Sequence, residues 1–336
     1  MGFMTTSPQK RRKVLVTGGS GTVGLAFIEK YYDEFEFFNI SRNELSIAAI
    51  NKQFPRVQSH VADIQDIDQL IKAFQEIRPD VVIHAAVLKH VNDAEENPSP
   101  TVQINILGSL NVAKASVATN VPIVVGISTD KACQPESIYG YSKKILEQMF
   151  LEHYTEKSRF VCTRFANVAC SSGSVIPFWV RSTQENEELK LTDSRMNRLM
   201  FTKENAAQLI RDAIEFADMS TTPFVMCSRV ETVSMLDLAN LISTEFGKGK
   251  KPNLVGLRPG ERLNEVLVSQ QELPNAYYTR DGRYIILHSE EYGEKRVTEP
   301  LSSLTADYMT KSEMRLLYSE YTRLAQPSFS LAQSSR

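Results

Sequence analysis

The chain has 336 residues and a net charge of −2, because its 38 basic and 40 acidic residues nearly cancel. This balance argues against a surface for nucleic acid or an anionic membrane, while 42% hydrophobic residues suffice for one large core or two modest ones. Four cysteines without Cys-x-x-Cys spacing predict a reducing, cytoplasmic location, and the sequence predicts neither a membrane span nor a signal peptide.

Strands and helices alternate through the first half of the chain. Apolar strands are predicted at 13–17, 36–40, 57–62, 80–85 and 123–128, and helices at 22–32, 44–53, 67–77, 105–118 and 139–154. Strands separated by helices of this length imply right-handed crossovers, so we predict an α/β fold with a Rossmann-type, doubly wound parallel sheet. Ligands of such sheets bind at the carboxyl ends of the strands.

The alternation weakens after residue 165. Short strands at 189–192 and 224–226 and helices at 203–217, 235–246 and 311–324 are mixed with loops. We therefore predict a Rossmann domain at 1–165 and a smaller, substrate-facing C-terminal lobe at 166–325. The polar, Ser- and Gln-rich residues 326–336 are predicted to be a disordered tail.

A glycine-rich turn follows the first strand and opens the first helix. Gly18 permits a tight turn, Gly21 lets the backbone approach a pyrophosphate, and Gly24 allows close helix packing. Free N–H groups at the helix N-terminus then face the phosphates. The turn predicts dinucleotide binding, with Ser20, Thr22 and Val23 completing the phosphate loop.

The end of the second strand lacks the acidic residue that usually binds the ribose hydroxyls of NAD. Ser41, Arg42 and Asn43 stand there, and a guanidinium beside a hydroxyl suits a 2′-phosphate, so NADP is favoured over NAD. A surface arginine at a loop tip is the alternative. Asp63 and Ile64 follow the third strand and are predicted to face the adenine, with an ordinary helix N-cap as the alternative for Asp63.

Residues 127–147 carry two sets of proton-transfer groups. Tyr139 and Lys143 are four residues apart on a helix, so Lys143 is predicted to reach the Tyr139 ring and favour the phenolate. Such a tyrosine can take a hydroxyl proton while hydride leaves the same carbon. Asp130 and Lys131 exceed what an alcohol oxidation needs and indicate water elimination; a surface ion pair is the alternative.

Further motifs strengthen this interpretation. They are HisAlaAlaValLeuLysHisVal at 84–91, AlaGluGluAsnPro at 94–98, ArgPheAlaAsnVal at 164–168, GlySerValIlePro at 173–177 and ArgProGlyGluArg at 258–262. Together with the glycine turn and the ThrAspLys and TyrGlyTyrSerLys segments, they resemble the extended short-chain dehydrogenase/reductases. More narrowly, the chain resembles the UDP-N-acetylglucosamine 4,6-dehydratases of capsule and flagellar sugar pathways, including the C5-inverting type. The resemblance extends from residue 14 to about residue 265.

The resemblance implies a role for each proton-transfer group. Tyr139 would take the proton of the sugar 4-hydroxyl while hydride passes from C4 to a tightly bound, recycled NADP⁺, and Lys143 would lower the tyrosine pKa and bind the nicotinamide ribose. Thr129, helped by Ser128, would hydrogen-bond the 4-oxygen. Loss of the C5 proton, protonation of the departing 6-hydroxyl and hydride return to C6 would follow.

In this scheme Lys131 is the C5 base and Asp130 protonates the 6-hydroxyl. A basic lysine must be partly neutral, which burial near other cations can achieve. Two alternatives stay open: a UDP-sugar 4-epimerase or reductase, which has little use for Asp130 and Lys131, and a non-catalytic NADP-binding regulator, which would not need Tyr139 and Lys143.

The resemblance also assigns binding roles outside these segments. Ala85 and Ala86 would contact the cofactor through their backbones; Lys89 would line the pocket, or else be a solvated loop lysine; and Asn105 would support the catalytic tyrosine, or else cap a helix. The remaining substrate-binding candidates are Asn167, Val175, Pro177, Arg198, Arg258 and Glu261. For Arg258 and Glu261 a salt bridge that packs the lobes is the alternative. His84 and His90 fit no metal spacing, and His84 is predicted to be structural.

The predicted partner beyond the UDP-sugar is a second copy of the chain. The family commonly pairs two helices of each subunit in a four-helix interface, which here would be those at 105–118 and 139–154. The resemblance therefore implies a homo-oligomer, at least a dimer.

Overall fold

The computed structural model describes residues 11–257, 261–290, 293–319 and 321. Its strands are β1 Lys13–Thr17, β2 Glu36–Ser41, β3 Gln58–Val61, β4 Val81–His84, β5 Ile123–Thr129, β6 Arg159–Phe165, β7 Asn167–Val168, β8 Lys190–Leu191, β9 Asn197–Phe201, β10 Phe224–Ser228, β11 Thr232–Ser234, β12 Asn253–Leu254, β13 Val266–Val268, β14 Ala276–Thr279, β15 Tyr284–Leu287, β16 Gly293–Arg296 and β17 Leu301–Ser302.

Helices fill most of the connections. They are α1 Thr22–Tyr31, α2 Glu44–Gln53, α3 Ile67–Ile77, α4 Val91–Glu96, α5 Pro98–Thr101, a π-helical segment Val102–Gly108, α6 Ser109–Ala118, a 3₁₀ turn Asp130–Ala132, α7 Ile138–Glu152, α8 Val175–Gln184, α9 Lys203–Met219, α10 Met235–Phe246, a 3₁₀ turn Leu273–Asn275 and α11 Lys311–Leu316. None of the helices in this part of the chain combines the length and apolarity that a membrane crossing requires.

Ten strands of the described residues form one sheet, in the order β16-β14-β15-β10-β6-β5-β4-β1-β2-β3. From β10 to β3 every neighbouring pair is parallel, so helical crossovers connect them. β4 and β5 are buried along their whole length, as expected for central strands covered on both faces. The predicted α/β fold with a Rossmann-type sheet is confirmed.

The C-terminal half adds strands to the same sheet. β15, β14 and β16 extend the β10 edge in antiparallel pairs. These three strands were not predicted, and they are antiparallel because the short loop between β14 and β15 permits a hairpin but no crossover. The predicted boundary at residue 165 therefore does not separate the sheet from the rest of the chain.

A second, smaller hydrophobic cluster lies apart from the main core. It is built around Trp179 of α8, Met200 of β9, Leu238 and Ile242 of α10, and Tyr318. These elements correspond to the substrate-facing lobe predicted at 166–325, whose boundaries stay a prediction. The predicted tail at 326–336 and the end of the predicted helix 311–324 lie outside the described residues.

Close packing at two glycines positions the helix that follows β5. A Cβ on Gly126 of β5 would lie 2.7 Å from the Phe150 ring of α7, so the helix rests directly on the strand. At the start of α7, Ser137 caps the helix by accepting a hydrogen bond from Gly140 N at 3.0 Å. A Cβ on Gly140 would lie 2.5 Å from Lys131 O. The first turn of α7 is thus held against the Asp130–Ala132 turn.

Candidate active site

Two cavities open near the carboxyl ends of the parallel strands. One, of about 240 Å³, is lined by residues that include Gly18, Ser20, Ser41, Arg42, Asn43, Asp63, Ile64 and Ala86. The other, of about 230 Å³, is lined by residues that include Asp130, Lys131, Ser137, Asn167, Arg198, Glu261 and Glu265. The first cavity is lined by predicted cofactor-binding residues. The second is lined by the predicted elimination pair, Asp130 and Lys131, and by three of the predicted substrate-binding residues.

The glycine turn has the close backbone approach that its sequence predicts. Gly18 has a φ of +72°, and a Cβ there would lie 2.8 Å from Ala86 Cα. A Cβ on Gly24 would lie 2.7 Å from Gly19 Cα. The N-cap of α1 is Gly21, which supplies no side-chain cap, so the first N–H groups of the helix are available to an anion. The turn fits a pyrophosphate.

The predicted ribose and adenine residues meet at the mouth of this cavity. The exposed guanidinium of Arg42 lies 3.4 Å from a carboxylate oxygen of Asp63. Asn43 caps α2 through Ser46 N, and Asn43 N donates to Ser41 Oγ. Asp63 does not cap α3, because Asp66 does. The exposed side of the Arg42 guanidinium can therefore bind a phosphate, while Asp63 neutralises the arginine charge on the other side. Ile64 also lines the cavity.

A segment near residue 172 lies across the glycine turn. Lys89 Nζ donates to Ser172 O at 2.6 Å, and Ser172 N donates to Thr22 Oγ1 at 3.2 Å. Burial lowers the pKa of Lys89. Lys89 is nevertheless exposed, so its role in lining the pocket stays a prediction. The segment leads into α8, whose first turn carries Val175 and Pro177.

Asn105 joins the loop after β4 to helix α7. It lies inside the π-helical segment, accepts a hydrogen bond from Leu88 N at 2.8 Å and donates to Leu88 O at 2.9 Å and to Ser142 Oγ at 3.1 Å. Ser142 Oγ in turn donates to Tyr139 O. The contacts agree with the predicted support of the catalytic tyrosine and not with a helix cap.

The environment of Tyr139 differs from the one predicted. Lys143 Nζ donates to Ile127 O at the end of β5 instead of reaching the tyrosine ring. Burial raises the pKa of Tyr139 to about 12, opposed by the charge of Lys131 and a hydrogen bond with Thr129. Burial lowers the pKa of Lys143 to about 8. The cation that favours the Tyr139 phenolate here is therefore Lys131, because its charge lowers the pKa of the tyrosine.

Lys131 lies between two carboxylates. Its Nζ is 3.1 Å from an oxygen of Asp130 and 3.1 Å from one of Glu265, with 31% of its side chain exposed. Burial and the charge of Arg198 lower the pKa of Lys131, but the two carboxylates outweigh them and hold it above the ordinary value. The predicted neutral lysine is thus wrong for the protein without ligands: the pocket stabilises an ammonium.

The pKa of Asp130 is also raised, which for a carboxyl favours the neutral form. Burial, and next the charge of Glu265, raise its pKa to about 6. Thr129 Oγ1 donates to Asp130 Oδ1 at 2.7 Å, on the same oxygen that Lys131 contacts. Ser128 was predicted to assist Thr129, but its hydroxyl donates to the buried Glu147 at 2.7 Å. Asp130 is therefore a carboxyl that holds a proton more readily than an ordinary aspartate.

The predicted substrate-binding residues of the lobe are joined to this pair. Asn167 Nδ2 donates to Leu199 O at 2.9 Å, and Lys131 Nζ donates to Asn167 Oδ1 at 3.3 Å. Arg198 lies 3.9 Å from Glu261 and donates to Leu263 O. Arg258, and with it the alternative salt bridge to Glu261, lies outside the described residues.

The comparisons with known proteins agree with this geometry. Residues 14–286 match the sequence model of the family described as polysaccharide biosynthesis protein. The chain belongs to this family. The match confirms the resemblance that the motifs predict.

Two of the relatives of the chain are named as enzymes that act on UDP-sugars. A Campylobacter jejuni protein named UDP-N-acetylglucosamine 4,6-dehydratase (inverting) is 29% identical over 295 residues, which is 85% of each chain. A Rickettsia bellii protein named UDP-glucose 4-epimerase is also 29% identical, over 93% of this chain and 95% of its own. The capsular polysaccharide biosynthesis protein CapD of Staphylococcus aureus is 31% identical over 80% of this chain but 47% of its own length.

Solved structures share the fold. The X-ray structure of Pen from Bacillus thuringiensis superposes with a TM-score of 0.83 and 27% identity, covering 94% of this chain and 99% of that one. A dTDP-glucose 4,6-dehydratase from Streptomyces venezuelae, solved with NAD bound, has a TM-score of 0.64 and 20% identity, covering 75% of this chain and 86% of that one. At this identity the second likeness concerns the fold alone.

Sequence reasoning missed a buried ion network below the active site of this family member. Arg164 of β6 lies 2.8 Å from Glu147 of α7 and 2.8 Å from Glu272, and it donates to Leu267 O at 2.8 Å. Because Glu147 also accepts from Ser128, the network joins the end of β5 to α7 and to the segment after β13. The ArgPheAlaAsnVal motif contains Arg164, but its spacing reveals neither partner.

Proposed function

We propose that this protein is an NADP-dependent UDP-N-acetylglucosamine 4,6-dehydratase of the inverting type, which forms a UDP-4-keto-6-deoxy-hexosamine. The observation that carries the proposal is one cavity lined by an easily protonated Asp130 and a cationic Lys131, whose charges both act on the nearby redox tyrosine Tyr139. An oxidation or an epimerisation alone has no use for the first two groups. The family match and the similarity to the Campylobacter jejuni dehydratase support the same reaction.

The cofactor site belongs to the glycine turn and its neighbours. Gly18, Gly21 and the start of α1 would hold the pyrophosphate, and Arg42 would meet a 2′-phosphate with Asp63 beside it. Ala85 and Ala86 would contact the cofactor through backbone atoms, and Lys143 the nicotinamide ribose. When bound, NADP⁺ takes a hydride from the sugar C4 and returns it to C6.

Tyr139 is the general base of the oxidation step. As phenolate it accepts the 4-hydroxyl proton, and Thr129, which lies in contact with it, hydrogen-bonds the 4-oxygen. Burial disfavours the phenolate, so the nearby ammonium of Lys131 has to stabilise it. The C4–O4 bond becomes a carbonyl, which acidifies the proton on C5.

The elimination uses the other pair. Lys131 first loses its ammonium proton to solvent, and the neutral amine then takes the C5 proton while the electrons of the C5–H bond form the C5–C6 double bond. Asp130 gives its proton to O6 as the C6–O6 bond breaks, so that water leaves. After hydride addition at C6, a proton from solvent delivered to the opposite face of C5 inverts that centre.

The substrate would lie against the C-terminal lobe. Asn167, Val175 and Pro177 would grip the nucleotide. Arg198 and Arg258 would meet phosphate or ribose. Glu261 would belong to the same substrate-binding set, and Lys89 would line the pocket. Arg198 is already bound by carboxylates, so it would orient ribose or phosphate oxygens from a fixed position.

A 4-epimerase is the second candidate. The Rickettsia bellii protein named UDP-glucose 4-epimerase is as similar as the dehydratase and aligns over more of this chain. An epimerase needs Tyr139 and the cofactor but does not exchange the C5 proton.

Deuterium incorporation separates the two. Incubation of the purified protein with UDP-N-acetylglucosamine in deuterated water should yield a 4-keto-6-deoxy product with deuterium at C5, detected by NMR and mass spectrometry. Lys131→Ala should lower the rate of C5 exchange by about 10²- to 10⁴-fold while bound NADP is retained, because a general base contributes about this much. Lys72→Ala, on the exposed face of α3, is the matched control and should exchange at the wild-type rate.

A 4-epimer without deuterium at C5 would overturn the dehydratase proposal in favour of the epimerase. Full C5 exchange in Lys131→Ala would leave the reaction class standing and remove Lys131 as the base.

A further inference from the structure

Glu265 reaches the elimination pair from the far end of the chain. It lies next to β13, its backbone N donates to Ser303 Oγ at 3.0 Å, and Ser303 N donates to Glu265 O at 2.9 Å. Its side chain is 8% exposed and lines the cavity of Asp130 and Lys131. The backbone is thus fixed, and the carboxylate points at the two groups to which the elimination is assigned.

The Glu265 carboxylate has more hydrogen-bond donors than that of Asp130. It accepts from Lys131 Nζ at 3.1 Å and from Asn167 Nδ2 at 2.5 Å, and Arg198 Nε lies at 3.4 Å. The donors to Asp130, those of Thr129 and Lys131, both meet Oδ1. Within the described residues, Asp130 Oδ2 is buried without a hydrogen-bond donor.

We propose that Glu265 is a positioning residue of the elimination step, which anchors the Lys131 ammonium in the cavity and keeps the proton of the adjacent carboxyl pair on Asp130. The role rests on the proposed function. Two carboxyls in one buried cluster cannot both ionise freely, and the one with more cationic donors keeps the negative charge. The resulting division makes Asp130 the acid before any substrate arrives.

The electrostatics of the pair agree with this division. Burial alone would raise the pKa of Glu265, but Lys131 and Arg198 lower it to about 2. Burial and the charge of Glu265 raise the pKa of Asp130 to about 6. The titratable and charged groups around Glu265 are Asp130 and Lys131 from the 3₁₀ turn and Arg198 from β9, with Tyr139 of α7 beyond Lys131 and Glu261 beyond Arg198.

The first experiment titrates Asp130 in the protein without substrate. Aspartate labelled with ¹³C at the carboxyl carbon is followed by NMR against pH, and the Asp130 signal is assigned by its loss in Asp130→Asn. We expect a wild-type midpoint near the pKa of about 6, a fall of about one pH unit or more in Glu265→Gln, and recovery in Glu265→Asp. Glu76→Gln, exposed on α3, is the isosteric control and should leave the midpoint unchanged.

The second experiment measures C5 exchange against pH. Elimination needs Asp130 protonated and Lys131 neutral, although the raised pKa of Lys131 lies above that of Asp130. The rate of C5 exchange should therefore rise with pH up to the pKa of Asp130 and level off above it. In Glu265→Gln the rising part of this pH profile, its acidic limb, should move to lower pH. The kcat should fall at least tenfold, while the KM for UDP-N-acetylglucosamine should change less than about threefold. A merely structural residue would lower kcat without moving the limb.

The outcomes separate the two proposals. A wild-type protein that makes no keto product refutes the dehydratase, while the NMR titration still tests Glu265. An Asp130 midpoint that is ordinary in the wild type, or unchanged in a folded Glu265→Gln, overturns the role of Glu265. The role of Glu265 is also overturned if the wild-type protein forms the keto product and the acidic limb of the pH profile is unchanged in Glu265→Gln.

Discussion

At the scale of single residues, the charge states in the pocket follow from neighbours that are distant in the chain. Lys131 is cationic because Glu265 and Asp130 flank it, and Asp130 is easily protonated because it is buried beside Glu265. Each residue type is visible in the sequence, but a pKa depends on burial and on charges within a few ångströms. The ThrAspLys segment therefore predicted groups whose catalytic roles stay a prediction, and it did not predict the charge of the lysine.

The buried network of Arg164 leads to a stability prediction. Arg164→Met leaves the carboxylates of Glu147 and Glu272 without their main cationic partner, so we expect the free energy of unfolding to fall by about 3–5 kcal/mol, measured by urea denaturation. Arg56→Met removes an exposed arginine and should leave the unfolding midpoint within error. An Arg164→Met protein as stable as wild type would contradict a structural role for the network.

At the scale of elements, the sequence predicted the parallel strands and their helices well. The apolar runs of β1, β4 and β5 are continuous because both faces of these strands are covered. Their burial can therefore be predicted from the sequence. The segment at 102–108 was predicted only in part, and its π-helical form has no periodic signature. β14, β15 and β16 were missed: β16 is polar, β14 is mixed, and the buried apolar run of β15 is only four residues long.

Gly140 tests the contact between α7 and the Asp130–Ala132 turn. In Gly140→Ala the new methyl group would lie 2.5 Å from Lys131 O, so the turn or the helix has to move. We expect the rate of keto-product formation to fall at least tenfold, because displacement of catalytic groups by about 1 Å can cost about 10²-fold. Gln75→Ala on the exposed side of α3 is the control. Wild-type activity of Gly140→Ala would show that the contact adapts without cost.

At the scale of the whole molecule, the exposed faces of the π-helical segment and α7 carry apolar side chains. Leu107, Tyr141 and Ile145 are 42%, 53% and 40% exposed, and Tyr141 and Ile145 are four residues apart on one face of α7. α7 contacts both the π-helical segment and α6, so the elements that carry these side chains are neighbours. The surface suits the four-helix dimer interface that the resemblance implies.

A charge on this surface tests the dimer. We propose that the wild-type protein is at least dimeric and that Ile145→Glu shifts it toward the monomer, because pairing would bury the new carboxylate. Light scattering after size-exclusion chromatography measures the mass. Leu45→Glu, at an exposed leucine of α2, is the control and should keep the wild-type mass. A monomeric wild-type protein would show that there is no such interface. An Ile145→Glu protein of unchanged mass would show that the interface lies elsewhere.

The sequence by itself determined the Rossmann-type sheet, the glycine turn, the ThrAspLys and TyrxxxLys groups and the family, because each depends on residues close together in the chain. The tertiary structure alone decided that β14, β15 and β16 complete the sheet and that Lys143 binds Ile127 O. It also brought Glu265 to Lys131 across 134 positions of sequence. Such contacts set the pocket's protonation states, and local patterns cannot encode them because electrostatic interaction depends on distance in space.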